Sequence, residues 1–337
     1  MDLDVYIPYG EPTKSRLKGM LTARQVNLDT RDYTVRKTDA DIDLSGNTAV
    51  IKRLKGMLND QPLSANGQLT NPAAPDIRLA VTSPNVNLDR LLPATQAEAE
   101  SFGPTGKPDK PVPKKSDLPP IAKKARANVT VTAEKGQYRG LAFQNLTFKA
   151  LYEMGVVKTY DLQFGSGQGR VALLGSADMR TPNRIPFSIT PNISAITIEQ
   201  LASAIGLPES SVTGLIFLKG QLSGRTGARK AFLGSLDGHL DAQMGPGRFR
   251  KIGQAGELMA KILSLTSVQG ILSGSLFRDF DKEGLNYQTI TAQTAFSKGQ
   301  LDIKGFQLKG DAVNMAAQGR VDMVDEQLHL AMNLGTL

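Results

Sequence analysis

Apolar and polar residues alternate one by one along several segments of this chain, and that spacing is the strongest constraint on its fold. Successive side chains of a β-strand point to opposite faces, so strict alternation produces one apolar face and one polar face. The clearest segment has an apolar side made of Val313, Met315, Ala317, Gly319, Val321 and Met323. Weaker or shorter versions lie at 63–69, 77–81, 171–179, 185–189 and 236–244. The pattern predicts a mainly β protein with a half-buried antiparallel sheet.

A repeat underlies these segments. The hexapeptide RLKGML occurs at residues 16–21 and 53–58, and its core LKG returns at 218–220 and 308–310. Tyr33, Tyr138 and Tyr287 each precede a strand-like run that leads to a glycine inside an alternating segment. The same spacing separates the tyrosine from the LKG glycine in the first and third units. Repetition at this scale predicts a fold built from successive similar units.

The LKG motif has two possible structures. In the first, the leucine faces the apolar side, the lysine points to water, and the glycine bends the strand. In the second, LKG only ends a strand before a turn. The phase of the alternation changes after Gly305, which predicts a β-bulge there. Glycine kinks in successive strands are expected to curve the sheet into an elongated, twisted trough.

Composition changes along the chain predict four regions. Residues 1–92 form a first β unit, 93–127 a disordered linker rich in Pro and Lys, 128–207 a second β unit, and 208–337 a C-terminal β module. Thr197 and Gln200 are spaced as a capping box, which predicts a short helix ending near Gly206. Apolar residues at helical spacing predict an amphipathic helix near 254–266.

Residues that carry catalytic chemistry are scarce. Cysteine is absent, and the two histidines, His239 and His329, alternate with apolar neighbours so that both are expected on the polar face. Acidic residues are scattered singly, which gives no cluster suited to a metal ion or to acid–base catalysis. We therefore expect no enzyme activity, no catalytic residue, no metal and no cofactor.

Glycine-rich and basic segments suggest phosphate or nucleic-acid binding, but their spacing favours simpler structures. GSGQGR at 165–170 and GPGRFRK at 245–251 fit neither the dinucleotide nor the P-loop pattern and are predicted to be turns. The formal charge is +8, and seven basic residues lie in the linker. Because the linker lacks interleaved aromatic residues, it is expected to be a solvated segment that does not bind nucleic acid.

The predicted apolar face leaves two alternatives open: a groove for aliphatic chains, or a closed sandwich with a dry core. In a groove, each buried methylene of a ligand contributes about 0.8 kcal/mol. The predicted groove-lining residues are Leu79, Val81, Leu173, Phe187, Leu240, Val313, Met315 and Val321. A charge at Met315 distinguishes the alternatives, because an open groove tolerates it and a packed interior unfolds.

The C-terminal region resembles the AsmA family of Gram-negative envelope proteins, which includes TamB-like and YhdP-like members. The resemblance is carried by GELMAKILSLTSVQGIL followed by EGLNYQTITAQTAFSKGQLDIKGFQLKGDAVNMAAQGRVDMVDEQLHLAMNL. Earlier in the chain, VNLDRLLP before a Pro-rich insert and then RANVTVTAEKGQYRGLAFQNLTFKA resemble the part that precedes this module in the family. These motifs are strand patterns and contain no catalytic signature.

This resemblance implies a curved β-sheet with a hydrophobic groove that holds phospholipid acyl chains and moves them between the inner and outer membranes. It also implies a periplasmic location, an inner-membrane anchor that this chain lacks, and membrane or envelope proteins as partners. The alternative is a structural or assembly factor for outer-membrane biogenesis with a closed core. Both alternatives are non-enzymatic.

Overall fold

The computed structural model describes residues 2–6, 16–30, 33–91, 118–204, 212–249, 285–311, 313–325 and 327–336. These residues form nineteen β-strands and three short helices. In chain order the elements are β1 Asp2–Tyr6, β2 Arg16–Asp29, β3 Thr34–Gly46, β4 Thr48–Leu58, β5 Gln61–Thr70, β6 Asp76–Asn87, α1 Leu88–Leu91, β7 Arg126–Tyr138, β8 Leu141–Glu153, β9 Val156–Ser166, β10 Gly169–Asp178, β11 Pro186–Thr197, α2 Ile198–Ala204, β12 Val212–Thr213, β13 Leu215–Arg225, α3 Arg229–Leu233, β14 Asp237–Met244, β15 Gly247–Phe249, β16 Leu285–Ser297, β17 Gln300–Gly310, β18 Val313–Asp322 and β19 Gln327–Thr336. The prediction of a mainly β protein is confirmed.

All the strands belong to one sheet that follows chain order. Each long strand pairs with the next, and the short strands β12 and β15 pair with each other between β11 and β16. Among the described residues, β1 pairs only with β2 and β19 only with β18, so the sheet is twisted but not closed. The described strands form no second sheet that could cover it.

The prediction of a wholly antiparallel sheet is wrong at one step. Strands β6 and β7 are parallel, with Leu79 beside Val129 and Val81 beside Val131. Parallel neighbours require a connection of about a dozen residues or more, because the chain must return to the starting edge of the first strand. Residues 88–125 provide that length. The sheet is therefore mixed, with one parallel pair in a series of antiparallel pairs.

Turns and short helices connect the strands. One of the two bonds of the predicted capping box is present: Thr197 Oγ1 accepts a 3.4 Å bond from the Gln200 backbone N–H, and helix α2 follows. The Gln200 side chain accepts a 2.9 Å bond from the Thr197 hydroxyl. Within the described ranges, no helix has the length and apolar content needed to cross a bilayer. In the predicted linker 93–127, residues 120–124 form turns and β7 begins at Arg126. Residues 93–117 of that linker and the predicted helix near 254–266 lie outside the described residues.

Three of the four LKG copies lie inside a strand, as in the first of the two predicted structures. Lys18, Lys55, Lys219 and Lys309 are exposed. Leu54 and Leu218 are half-buried, whereas Leu308 is buried. Only the fourth copy ends a strand, at the end of β17. The bulge near Gly305 is also confirmed, because the β17–β18 register shifts between Ile303 and Phe306 and keeps both on the apolar face.

Gly319 shows why a strand of this sheet requires glycine. Its φ of 151° is a value that L side chains rarely adopt, and a Cβ there would overlap the carbonyl of His329 on the next strand. We expect Gly319→Ala to lower the free energy of unfolding by about 1–3 kcal/mol, measured by urea denaturation. Gly335→Ala is the matched control, because a Cβ at that position meets no described atom within 4 Å. Equal losses in the two variants would contradict this explanation.

Candidate functional site

One row of cross-strand partners runs through sixteen strands and contains only aliphatic, aromatic or glycine residues. Cross-strand partners lie on the same face of a sheet, so the row is a continuous apolar strip. Its members from β2 to β19 are Leu21, Ile42, Ile51, Gly67, Leu79, Val129, Ala150, Tyr160, Gly175, Ile189, Leu222, Gly238, Phe296, Leu301, Val321 and Leu328. At about 4.8 Å per strand the row is roughly 70 Å long.

A second apolar row runs beside the first on the same face. Its first part contains Ala23, Ala40, Leu54, Ala65, Val81, Val131, Phe148, Leu162, Leu173 and Pro191. Its second part contains Gly220, Leu240, Thr294, Ile303, Gly319 and Leu330. The hydroxyl of Thr294, the one polar side chain, donates a 2.8 Å bond to the Leu240 carbonyl. We call these two rows the apolar lane.

Packed side chains border the lane on one side. They form three clusters farther along the same strands: Val86, Ala133, Phe143 and Leu146; Val171, Ile193 and Ile196; and Phe249, Tyr287, Ile290, Leu308 and Met315. Helix α1 packs Leu88 and Leu91 against the first cluster, and helix α2 packs Leu201 against the second. The largest side chains less than 2% exposed, Ile196, Ile290 and Leu308, all lie in this border.

The other side of the lane has its own border. Phe187 in β11 stacks on Phe232 of α3, with ring centroids 6.1 Å apart. Leu236, which follows α3, is 5% exposed. Between the two borders, Leu79, Leu173 and Leu240 remain half-buried. The lane is thus a strip of partly exposed apolar side chains between two packed edges.

The predicted groove residues fall into three groups. Five of them lie in the two rows of the lane: Leu79, Val81, Leu173, Leu240 and Val321. Phe187 and Met315 belong to the packed borders. Val313 pairs with Thr336 two residues before Met315 on β18. Their contact with a ligand stays a prediction.

The position of Met315 changes what a charged substitution at this residue would show. Met315 is 7% exposed and packs with Ile290 and Leu308, so an aspartate there would disrupt a packed cluster. Loss of folding in Met315→Asp would therefore report on the border and not on the lane. Leu240, half-buried in the middle of the lane, is the informative position.

The opposite face carries charged side chains as well as exposed apolar ones such as Leu174. His239 and His329 are exposed, as predicted from the alternation. Arg24 Nη2 lies 2.6 Å from Asp41 Oδ1, and this contact is the main reason that the pKa of Asp41 is lowered. In the described part of the chain, no group of three or more His, Asp or Glu residues is arranged to hold a metal ion. Charged groups therefore lie outside the lane.

Tyr287 joins three strands at the packed border. It is 2% exposed, its ring centroid lies 5.3 Å from that of Phe249, and its hydroxyl donates a 2.6 Å bond to the Thr213 carbonyl. The hydroxyl contact joins β16 to β12, and the ring contact joins β16 to β15. Burial is the main reason that the pKa of Tyr287 is raised to about 12, and the charge of Glu199 adds to the effect.

This pKa predicts a pH dependence of stability. Since the folded-state pKa exceeds the ordinary value of about 10, the stabilisation is complete below pH 10 and is lost as the pH rises towards 12. Burial also raises the pKa of Tyr160, so this tyrosine should ionise late as well. In an alkaline titration of tyrosinate absorbance, only the ionisation at about pH 12 should be missing in Tyr287→Phe. Tyr33→Phe is the control, because Tyr33 is 41% exposed. An ionisation at about pH 12 that persists in Tyr287→Phe would contradict the assignment.

Comparisons with known proteins identify two partial similarities. A family model described as YhdP protein matches residues 197–337. The chain is 26% identical to Protein AsmA of Escherichia coli (strain K12) over 196 residues. The match covers 55% of this chain and 31% of AsmA, so the chain spans less than a third of that relative. No solved structure gives a significant match.

Proposed function

Because this chain is a YhdP-like member of the envelope-associated AsmA family, we propose that it binds phospholipid acyl chains along the apolar lane and conducts them between the two membranes. The lane would act without covalent chemistry. Acyl chains lie on the two apolar rows, and the headgroups remain in water. The protein works in the periplasm as part of a longer, membrane-anchored protein, with membrane or envelope proteins as partners.

The continuity of the first row supports this proposal most directly. From Leu21 to Leu328 the row has no charged or amide side chain, and the hydroxyl of Tyr160 is its one polar side-chain group, so a sliding chain meets little polar surface that it would have to desolvate. The hydrocarbon core of a bilayer is about 30 Å thick. A row of roughly 70 Å therefore exceeds the length of an acyl chain from one leaflet several-fold, which suits conduction better than a single closed site.

Lipid analysis of the purified protein tests the proposal. The protein would be purified without detergent, extracted with organic solvent and analysed by mass spectrometry. We expect phospholipid in at least equimolar amount. Protein that is free of phospholipid after purification from cells would contradict the proposal.

The second candidate is a structural or assembly factor. It is favoured by the two sheet edges, β1 and β19, whose outer sides have no strand partner among the described residues. Such edges can pair with strands of another protein. A lipid-free protein that co-purifies with an envelope protein in stoichiometric amount would support this candidate over lipid conduction.

A further inference from the structure

A cavity of 540 Å³ lies at the ends of β6 to β9, apart from the lane. Its polar lining includes Asn85, Lys135, Gln137 and Gln144. Gly165 near the end of β9 and Gly167 in the turn to β10, both in the GSGQGR segment, complete the lining. Small-molecule sites in proteins usually measure about 300–1,000 Å³, so the cavity has the size of a ligand site.

Strand pairing brings the polar side chains together. Asn85 pairs with Lys135, Lys135 with Gln144, and Gln144 with Gly165. Asn145 has a φ of 54°, and the β8–β9 register shifts just beyond Gln144, which marks a bulge. Bulges re-aim side chains and are common beside functional sites. Val86 and Phe143, which also line the cavity, belong to a packed apolar cluster.

The floor of the cavity is fixed by buried hydrogen bonds. Of the described residues, the two polar ones that are buried, Gln61 and Ser166, both line this cavity. Gln61 Oε1 accepts a 2.8 Å bond from the Asn87 N–H, and Ser166 Oγ donates a 2.7 Å bond to the Ala142 carbonyl. A satisfied buried network of this kind holds the surrounding backbone in one arrangement.

The walls of the cavity have unused hydrogen-bonding capacity. Asn85, Lys135, Gln137 and Gln144 are exposed, and their side chains make no hydrogen bond within the described part of the chain. A carboxamide both donates and accepts, which matches a hydroxyl group, whereas the lysine ammonium only donates and favours an anion. No carboxylate lines the cavity, so nothing in its lining repels a negative charge.

We propose that this cavity binds a polyol or sugar that carries one phosphate group. The carboxamides of Asn85, Gln137 and Gln144 bind the hydroxyls, and the Lys135 ammonium binds the phosphate. Gly165 and Gly167 have no side chains, so the ligand approaches the backbone of the turn closely. The ligand is either the glycerol phosphate of a lipid headgroup or a free glycosyl phosphate. The site is independent of the lane, and either proposal can fail alone.

Calorimetric titration with four probes tests the site: glycerol 1-phosphate, galactose 1-phosphate, galactose and inorganic phosphate. We expect saturable binding of the two organic phosphates, with galactose and inorganic phosphate each at least about tenfold weaker. Tighter binding of glycerol 1-phosphate supports a lipid headgroup, and tighter binding of galactose 1-phosphate supports a glycosyl phosphate. Binding of inorganic phosphate as tight as that of the organic phosphates, or no saturable binding, would overturn the proposal.

Two variants localise the site. Lys135→Gln is expected to weaken binding of the organic phosphates at least about tenfold, because it removes the charge-assisted hydrogen bond from the ammonium to the phosphate. Lys149→Gln, at another exposed lysine farther along β8, is the matched control and should bind as the unsubstituted protein does. Circular dichroism would establish that both variants are folded. Equal weakening in the two variants would assign the effect to overall charge and overturn the site.

Discussion

Leu240→Asp is expected to remove bound phospholipid while the sheet remains folded. Leu240 is half-buried in the lane, between Gly220 and Thr294 on the neighbouring strands. An aspartate there places a charge against the hydrocarbon of a bound chain, and desolvating an ion in an apolar site costs at least several kcal/mol. Since about 1.4 kcal/mol corresponds to a tenfold change, lipid per protein should fall at least about tenfold in solvent extracts.

Gln243→Asp is the control for that substitution. Gln243 lies on the same strand, is exposed, and faces the polar side. We expect this variant to retain its lipid and its circular dichroism spectrum. Unfolding of Leu240→Asp would show that the lane is a packed interior, and full lipid retention would show that lipid binds elsewhere. Either result would contradict the proposed lane.

Leu308→Ala is expected to cause the largest loss of stability. Leu308 is 1% exposed and packs with Ile290 and Met315. Removing a buried leucine side chain leaves a cavity and costs about 2–5 kcal/mol. Urea denaturation should show this loss as a lower midpoint with an unchanged slope.

The leucine of another LKG copy provides the comparison. Leu54 is half-buried in the lane, so Leu54→Ala removes fewer carbon atoms from contact with protein and should cost about 1 kcal/mol. Both substitutions replace leucine with alanine, each in a different copy of the LKG motif. Equal losses would contradict the division of the apolar face into a packed border and a partly exposed lane.

The apolar face was predictable because side-chain direction depends only on local alternation. Leu240 and Val321 alternate with polar neighbours, and the structure places both in the two apolar rows, together with Leu173. The bulge near Gly305 was also visible, because the phase of the alternation changes within one strand. Side-chain alternation and the conformational freedom of glycine depend only on nearby residues, so a single sequence is sufficient to recognise them.

The sequence did not predict which apolar residues of a strand are covered by other segments and which remain partly exposed. Phe187 and Met315 have the same alternation as Leu173, but partners distant in sequence cover them. Phe232 stacks on Phe187, and Ile290 packs against Met315. Likewise, the parallel pairing of β6 with β7 depends on the path of residues 88–125, which alternation does not encode. These features come from tertiary contacts between separate segments.

The cavity was missed for a related reason. The carboxamides of Asn85, Gln137 and Gln144 are separated by up to about sixty residues, and each one alone has the pattern of a solvent-exposed polar residue. GSGQGR was correctly predicted to form a turn, because β9 ends at Ser166 and β10 begins at Gly169. The sequence did not show that Lys135 and Gln144 pair beside this turn. Strand register, which only the assembled sheet defines, creates the cluster.

Photo-crosslinking at two adjacent leucines tests the central claim most directly. Leu173 lies in the lane, whereas Leu174, the next residue of β10, is 51% exposed on the other face. A photoreactive phenylalanine analogue would replace each in turn, and mass spectrometry would detect covalent phospholipid adducts after illumination in cells. We expect adducts at position 173 and none at 174. No adduct at 173, or equal adducts at both positions, would contradict an apolar lane that holds acyl chains.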